Sequence, residues 1–139
     1  MSIATILLPL FVQVALTFAV LITLSARRTS AKVRGELRGE ISLREPNWPA
    51  SARQAEYNYQ NQFELPVLFY VLTVLTIITR QADLLFIVLA WIFVITRIIH
   101  AAVHLTTNDV TFRGPVFIAG AVVLAVMWMA FIVRILFLA

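Results

Sequence analysis

Four long, mainly apolar stretches restrict what this chain can fold into. They cover about residues 3–25, 54–79, 84–106 and 115–138. A helix needs about 20 residues to cross the roughly 30 Å hydrocarbon core of a bilayer, so each stretch is long enough to span it. Each stretch is also much longer than the roughly 9–11 residues of a transmembrane barrel strand. The sequence therefore predicts an all-α integral membrane protein, a single domain built as a four-transmembrane-helix bundle.

The composition supports the same fold class. Hydrophobic residues make up 61% of the chain and charged residues 13%, whereas soluble domains average about 45–50% and about 25%. A soluble domain of 139 residues could not bury that much apolar surface, but a lipid bilayer can solvate it. The absence of cysteine excludes disulfides, thiol nucleophiles and cysteine metal ligands. Basic and aromatic residues are not interleaved, so we expect no nucleic-acid partner.

The basic residues predict the topology, because seven of the eleven lysines and arginines lie in one loop at about residues 26–53. Positively charged loops stay in the cytoplasm, and basic segments beside a membrane also meet anionic lipid headgroups. Four crossings then place both termini on the non-cytoplasmic side. In a bacterium the membrane would be the plasma (inner) membrane. The first apolar stretch exceeds the roughly 7–15 residues of a signal-peptide core, so we expect it to remain as a helix.

Polar side chains within the predicted spans indicate a functional site, since each costs at least about 2.5–3.5 kcal/mol in a bilayer. Steps of three and four residues place two sets on single helical faces: Tyr57, Asn61 and Glu64 on the second helix, and Arg97, His100 and His104 on the third. Glu64 and Arg97 are predicted at similar depth and are expected to form an ion pair. Two interpretations follow: a buried pair that only fixes helix register, or a polar pocket open to the cytoplasm.

Arg113 and the two histidines each allow more than one interpretation. Arg113 precedes Gly114 and Pro115 at the predicted start of the fourth helix. It is either a topology residue at the membrane surface or a cation that attracts an anion to the pocket. His100 and His104 have a spacing that suits a metal. They lack the second carboxylate of a bundle metal centre, so no metal site is predicted.

Two segments resemble motifs of a known membrane family. Residues 61–70, Asn-Gln-Phe-Glu-Leu-Pro-Val-Leu-Phe-Tyr, resemble a second-helix signature of an asparagine, a glutamate three residues later and then a proline. Residues 91–100, Trp-Ile-Phe-Val-Ile-Thr-Arg-Ile-Ile-His, resemble the third-helix Arg-x-x-His segment of the same family. The chain is similar in this way to the membrane-associated proteins in eicosanoid and glutathione metabolism, the MAPEG family, as a divergent, bacterial-type member. The similarity covers nearly the whole chain.

The resemblance implies a homotrimer of four-helix subunits that binds glutathione as a cosubstrate between subunits. It implies that Arg113 is the catalytic residue that stabilises the glutathione thiolate. The other implied glutathione-site residues are Arg28, Arg53, Tyr57, Asn61, Glu64, Arg97, His100 and His104.

The same resemblance leaves two functions open. One is a membrane glutathione transferase or peroxidase, whose lipophilic electrophile would arrive from the bilayer. The other is a non-catalytic scaffold or lipid-binding protein of the same fold. Tyr57 and Gln60 favour the second function, because transferases of the family carry arginines at the first place and some members at the second. Arginines there would anchor an acidic tripeptide, and Arg53 is predicted to replace them in part.

Overall fold

The computed structural model describes residues 1–39 and 47–138, and these residues form helices and no strand. In chain order the helices are α1 (Ile3–Val33), α2 (Ala50–Asn61), α3 (Leu65–Ile78), α4 (Leu84–Leu105) and α5 (Val110–Val133), followed by a π-helical turn at Arg134–Leu138. Four segments are long and apolar enough to cross a membrane: Ile3–Val33, Ala50–Ile78, Leu84–Leu105 and Val110–Leu138. The predicted all-α membrane fold with four spans is confirmed.

Helix α1 runs well beyond its predicted end near residue 25. It continues to Val33, and the predicted loop at 26–53 is correspondingly shorter. Alanine, arginine and lysine favour helix in residues 26–32, so the helix persists after hydropathy falls. It stops where Gly35 adopts a positive φ of 68° and the Glu36 N–H donates to the Ala31 carbonyl at 3.0 Å, a typical glycine helix end. Residues 40–46 of the predicted loop, including Arg44, lie outside the described residues.

The second span is broken, where the sequence predicts one helix with a kink. Helix α2 starts at Ala50 and ends at Asn61, and α3 starts at Leu65. Pro66 lies at the beginning of α3, and proline has no N–H to continue the helical hydrogen bonds. Residues 62–64 instead donate to carbonyls three residues back, at 3.0–3.4 Å. The break falls within the membrane span.

Helix α5 begins earlier than predicted. The predicted start was residue 115, but Asp109 caps the helix by accepting a hydrogen bond from the Thr111 N–H at 3.0 Å, so α5 starts at Val110. The sequence contains this start signal, since aspartate is a preferred N-cap residue. The earlier start places Arg113 in the first turn of α5 rather than in a loop.

Helix α4 occupies the centre of the bundle and carries much of the buried core. Phe93 and Val94 are fully buried and pack with Phe69 and Leu72 from α3. Helix α5 lies close against α4 at Gly120, where an added Cβ would stand 2.7 Å from the Thr96 hydroxyl oxygen. On the outer faces many large apolar side chains are exposed, as expected for a protein solvated by lipid.

A chain of buried amides links three helices. Gln13, Asn58 and Gln62 are fully buried. The Gln13 amide donates to Gln62 Oε1 at 3.0 Å, and the Gln62 amide donates to Asn58 Oδ1 at 3.0 Å. The Asn58 amide then donates to the Ala101 carbonyl at 2.9 Å. These bonds tie α1, α2 and α4 together at the α2 side of the break in the second span.

One end of the bundle collects most of the basic residues, and we call it the basic end. The C-terminal ends of α1 and α4 meet the N-terminal end of α2 there. Arg27 on α1 donates to the Ser51 carbonyl at 3.1 Å and to the Leu105 carbonyl at 2.6 Å. The Gln54 amide donates to the His104 carbonyl at 2.5 Å. These contacts position the elements that form the candidate site.

Candidate functional site

A polar groove lies at the basic end between α2, α4 and the start of α5. Its volume is about 350 Å³. The residues that line it are Tyr57, Asn61, His100, His104, Val110, Arg113, Gly114 and Phe117. Five of these, Tyr57, Asn61, His100, His104 and Arg113, are residues for which the sequence predicts a role in a site.

Helix α4 contributes the floor of the groove through two histidines. His100 and His104 are each 3% exposed, and their ring centroids lie 5.7 Å apart. One helical turn separates the two residues, so both rings lie on the same face. Within the described part of the chain, neither Nδ1 atom has a hydrogen-bond partner. Buried polar atoms are normally paired, so these two nitrogens are left unsatisfied in the single chain.

The first turn of α5 places a cation at the mouth of the groove. The Arg113 Nη1 donates to Asn108 Oδ1 at 2.6 Å. Asn108 has a positive φ of 53° in the tight turn before the helix, a conformation that asparagine tolerates better than most residues. This contact orients the guanidinium. The partial positive charge of the helix N-terminus adds to it, so the mouth of the groove favours an anion.

Arg97 lies behind the groove and does not form the predicted ion pair with Glu64. Its side chain is 1% exposed, and Nη2 donates to the Asn61 carbonyl at 3.2 Å. The guanidinium carbon lies 5.9 Å from the centroid of the Phe117 ring. The break after α2 leaves the Asn61 carbonyl without the regular helical donor four residues later. A cation at a helix C-terminus is also electrostatically favourable. Arg97 therefore caps α2, whereas the sequence predicts that it forms an ion pair with the Glu64 carboxylate.

Glu64 lies in the break and is exposed on the surface of the single chain. Among the described residues the ion pairs are Arg28–Glu56, at 3.3 Å, and Arg134–Asp83, at 2.5 Å. Glu64 therefore forms no ion pair among residues 1–39 and 47–138. An ionised side chain facing lipid within a span is costly, so this surface requires a cover other than hydrocarbon.

Two arginines predicted for the site are directed elsewhere. Arg28 forms the ion pair with Glu56 and lies over the Trp48 ring, with its guanidinium carbon 5.0 Å from the centroid. Arg53 lines a separate cavity at the basic end. The predicted partial replacement of the missing arginines by Arg53 does not occur in the groove of the single chain.

The prediction from sequence missed the wall that α5 contributes. Phe117 contacts the His100 ring with centroids 5.5 Å apart, and it also contacts Arg97. The signal was present, because Phe117 lies four residues after Arg113 and so shares its helical face. Gln54, which hydrogen-bonds the His104 carbonyl, was also missed. It is a polar residue among other polar residues, and nothing in the local pattern distinguishes it.

Comparison with known proteins identifies one family. The MAPEG family matches residues 6–133, nearly the whole chain. No individual curated protein shows a significant match to the chain, and no solved structure does.

Proposed function

The chain belongs to the MAPEG family, and from this premise we propose that it is a membrane-bound glutathione transferase or peroxidase. The family includes enzymes of both kinds. The proposed substrates are lipophilic electrophiles that reach the groove from the bilayer. The observation that carries the proposal is the position of Arg113, at the mouth of a groove with two buried, unpartnered imidazole nitrogens behind it.

Arg113 has the role of stabilising the sulfur as a thiolate. A thiol has an ordinary pKa of about 8.5 and is mostly protonated at neutral pH. A guanidinium within a few ångströms favours the anion, and the first turn of α5 adds the partial charge of the helix end. The thiolate then attacks an electrophilic carbon, displacing its leaving group or adding across its double bond. Alternatively it attacks a hydroperoxide oxygen and breaks the O–O bond, which forms the sulfenic acid of glutathione and releases an alcohol. Arg113 supplies the cation in either reaction.

The other groove residues would hold the tripeptide. Asn61 and Tyr57 offer an amide and a hydroxyl at the α2 side, and His100 and His104 form the floor. Glu64 lies one turn beyond Asn61 and would attract the amino group of glutathione. Arg97 would act through Asn61, since it bonds the carbonyl of that residue.

We further propose a homotrimer, because Glu64 is exposed within a membrane span. A neighbouring subunit would exclude lipid from Glu64 and close the open side of the groove. Native mass spectrometry from a mild detergent should detect trimers, and a protein that is monomeric across detergents would contradict the assembly.

The basic end is proposed to face the cytoplasm, with both chain termini on the other side. The support is the excess of arginine and lysine at that end. A cysteine introduced at Ser51 should react with an impermeant maleimide only after the cells are opened. Labelling in intact cells would reverse the orientation.

A non-catalytic scaffold or lipid-binding protein is the second candidate, and one observation favours it. Among the described residues that line the groove, one carries a permanent positive charge, Arg113. Arg28 is neutralised by Glu56, and Arg53 faces another cavity. A tripeptide with two carboxylates is bound most strongly by paired arginines, so a groove with one cation suits a less acidic occupant.

Glutathione binding and thiolate formation separate the two candidates. For the enzyme we expect calorimetric heat with glutathione at micromolar to millimolar concentration, and a thiolate absorbance band from the bound ligand. Arg113→Leu should remove the band and lower the conjugation rate on the order of 100-fold, with the bundle still folded. Arg34→Leu is the matched control, because Arg34 is an exposed arginine at the end of α1 and does not line the groove.

Two results would reject the enzyme. One is an unmodified protein that shows no thiolate band with saturating glutathione. The other is an Arg113→Leu variant that keeps the band and turns over as fast as the Arg34→Leu control. Binding without a thiolate band would favour the scaffold.

A further inference from the structure

A second cavity lies at the basic end, outside the groove, between the end of α1 and the start of α2. Its volume is about 480 Å³, and we call it the loop cavity. It is lined by residues 35–38, residues 47–50 and Arg53. None of these residues lines the groove, so the loop cavity is a separate site.

Backbone and side-chain contacts give the loop cavity a defined shape. The Arg38 N–H donates to the Asn47 carbonyl at 2.9 Å and joins the two segments that form its walls. Trp48 packs back on α1, where the guanidinium carbon of Arg28 lies 5.0 Å and the ammonium of Lys32 lies 5.8 Å from its ring centroid. These cation–π contacts hold the wall against the last two turns of α1.

The charges around the loop cavity favour an anion. Among the described residues, Arg38 and Arg53 line it against one carboxylate, Glu36. The Nε atom of Arg53 is buried and has no hydrogen-bond partner in the described part of the chain. Helix α2 begins at this cavity, and Pro49 at its N-cap position provides no side-chain hydrogen bond. The positive end of the α2 dipole therefore adds to the two guanidinium groups.

The position of the loop cavity identifies the source of the anion. The apolar part of α1 ends near residue 25, and Trp48, which lines the cavity, contacts Arg28 about one turn further along the helix. Trp48 beside it is of the residue type that concentrates at the headgroup level of a bilayer. Arginine forks match the geometry of phosphate oxygens. We propose that the loop cavity binds the phosphate of an anionic phospholipid.

A zwitterionic choline lipid fits the loop cavity less well. A quaternary ammonium group binds to aromatic faces. Here Trp48 already contacts two cations, Arg28 and Lys32, so a choline group would meet like charge. The site therefore discriminates by headgroup charge, and this inference does not depend on the proposed enzyme function.

Lipid retention in native mass spectrometry tests the site. Phosphatidylglycerol and phosphatidylcholine with the same acyl chains are titrated separately into the purified protein in mild detergent. We expect phosphatidylglycerol to bind more tightly. Arg53→Gln and Arg38→Gln should each weaken its binding about tenfold, the effect of losing a charge-assisted hydrogen bond. Arg34→Gln is the matched control, because it removes the same charge from an exposed residue outside the cavity, and it should change binding by less than about twofold.

A gain-of-binding variant excludes misfolding as the explanation. Glu36→Gln removes the carboxylate that lines the cavity, so it should strengthen phosphatidylglycerol binding by about two- to fivefold. A misfolded protein would not bind more tightly. Soluble glycerol phosphate tests the source of the anion, and a millimolar excess should leave lipid retention unchanged.

Several results would overturn the proposal. Equal weakening by Arg34→Gln and Arg53→Gln would show that diffuse charge, not the cavity, attracts the lipid. Equal binding of phosphatidylcholine would remove the headgroup selectivity. Full competition by glycerol phosphate would reassign the cavity to a soluble anion. Unchanged or weaker binding by Glu36→Gln would show that the carboxylate does not oppose the ligand.

Discussion

Replacement of Gln62 by leucine tests the buried amide chain that joins α1, α2 and α4. Gln62 is fully buried and forms three hydrogen bonds at 3.0–3.2 Å. Its Oε1 atom accepts from the Gln13 side-chain amide, and its own amide donates to the Oδ1 atom and the backbone carbonyl of Asn58. Leucine has nearly the same volume, so little cavity should form. The loss is therefore that of hydrogen bonds inside a membrane bundle.

The magnitude follows from the number of bonds. Hydrogen bonds between membrane helices average about 0.6 kcal/mol and reach about 1.7 kcal/mol. One of the three bonds, to Gln13, joins two helices. Taking the same range for the two bonds to Asn58 within the second span gives a loss of about 2 kcal/mol, and at most about 5 kcal/mol, in the free energy of unfolding. Gln13→Leu removes one bond and also an Oε1 atom that has no partner in the described residues. It should cost about 1 kcal/mol or less.

The double variant isolates the shared bond. Gln13→Leu and Gln62→Leu together should cost less than the sum of the two single losses by about 0.6–1.7 kcal/mol, because the bond between the two side chains is lost only once. Reversible unfolding by dodecyl sulfate in mixed micelles measures each difference. Gln60→Leu is the control, since Gln60 lies in the same helix and is exposed, and it should stay within about 0.5 kcal/mol.

Two outcomes would refute this reasoning. One is a Gln62→Leu variant no less stable than the Gln60→Leu control. The other is strict additivity in the double variant, which would mean that the 3.0 Å bond between Gln13 and Gln62 contributes nothing.

Three further predictions concern other contacts. Arg97→Met should change the free energy of unfolding by about 1 kcal/mol or less in the same assay, because the side chain makes one hydrogen bond rather than a buried ion pair. Disruption of a buried ion pair costs about 3–5 kcal/mol, and a loss in that range would contradict the structure. Gly120→Ala should destabilise the fold by about 1–3 kcal/mol, because the new Cβ would lie 2.7 Å from the Thr96 hydroxyl oxygen. Adding Thr96→Ala should restore stability, and a double variant that is not rescued would disprove the clash. Partial burial raises the pKa of Asp83. Hydrogen bonds from Arg134 and from a backbone N–H, together with the positive charge of Arg134, outweigh this effect, so the pKa of Asp83 lies below its ordinary 3.8. The Asp83–Arg134 pair therefore stabilises the fold above the ordinary pKa of Asp83, and this stabilisation is lost as pH falls through the lowered pKa. Arg134→Gln should cost about 0.2–1 kcal/mol of unfolding free energy at neutral pH, and this cost should vanish in strong acid. A cost that does not change with pH would exclude Asp83 as the partner.

Hydropathy and helical spacing predicted the spans and the groove because both are local properties of the sequence. The four spans follow from the lengths of the apolar stretches. Asn61, His100 and His104 line one groove because each lies on the predicted helical face. Arg113 joins them because it lies at the predicted start of the fourth span.

The side-chain partners could not be predicted in the same way. Arg97 was expected to pair with Glu64, and depth along the two helices allowed it. The choice of the Asn61 carbonyl depends on the break after α2, which leaves that carbonyl a single 3.4 Å bond from the Glu64 N–H in place of the regular helical donor. Gln13 and Gln62 were not recognised as partners, because residues 49 positions apart share no local pattern. The end of α1 was misplaced because hydropathy marks the end of the hydrocarbon, whereas Gly35 ends the helix.

The break in the second span connects the fold to the groove. A continuous helix would use the Asn61 carbonyl in its own hydrogen bonds. Because α2 stops at Asn61, this carbonyl accepts from the Glu64 N–H at 3.4 Å and from Arg97 at 3.2 Å in place of the regular donor four residues later. The second bond joins α2 to the centre of α4. The Asn61 side chain lines the groove, and Glu64, three residues later in the break, is exposed. The break thus presents two polar residues, costly in a bilayer, toward the proposed ligand and the proposed neighbouring subunit.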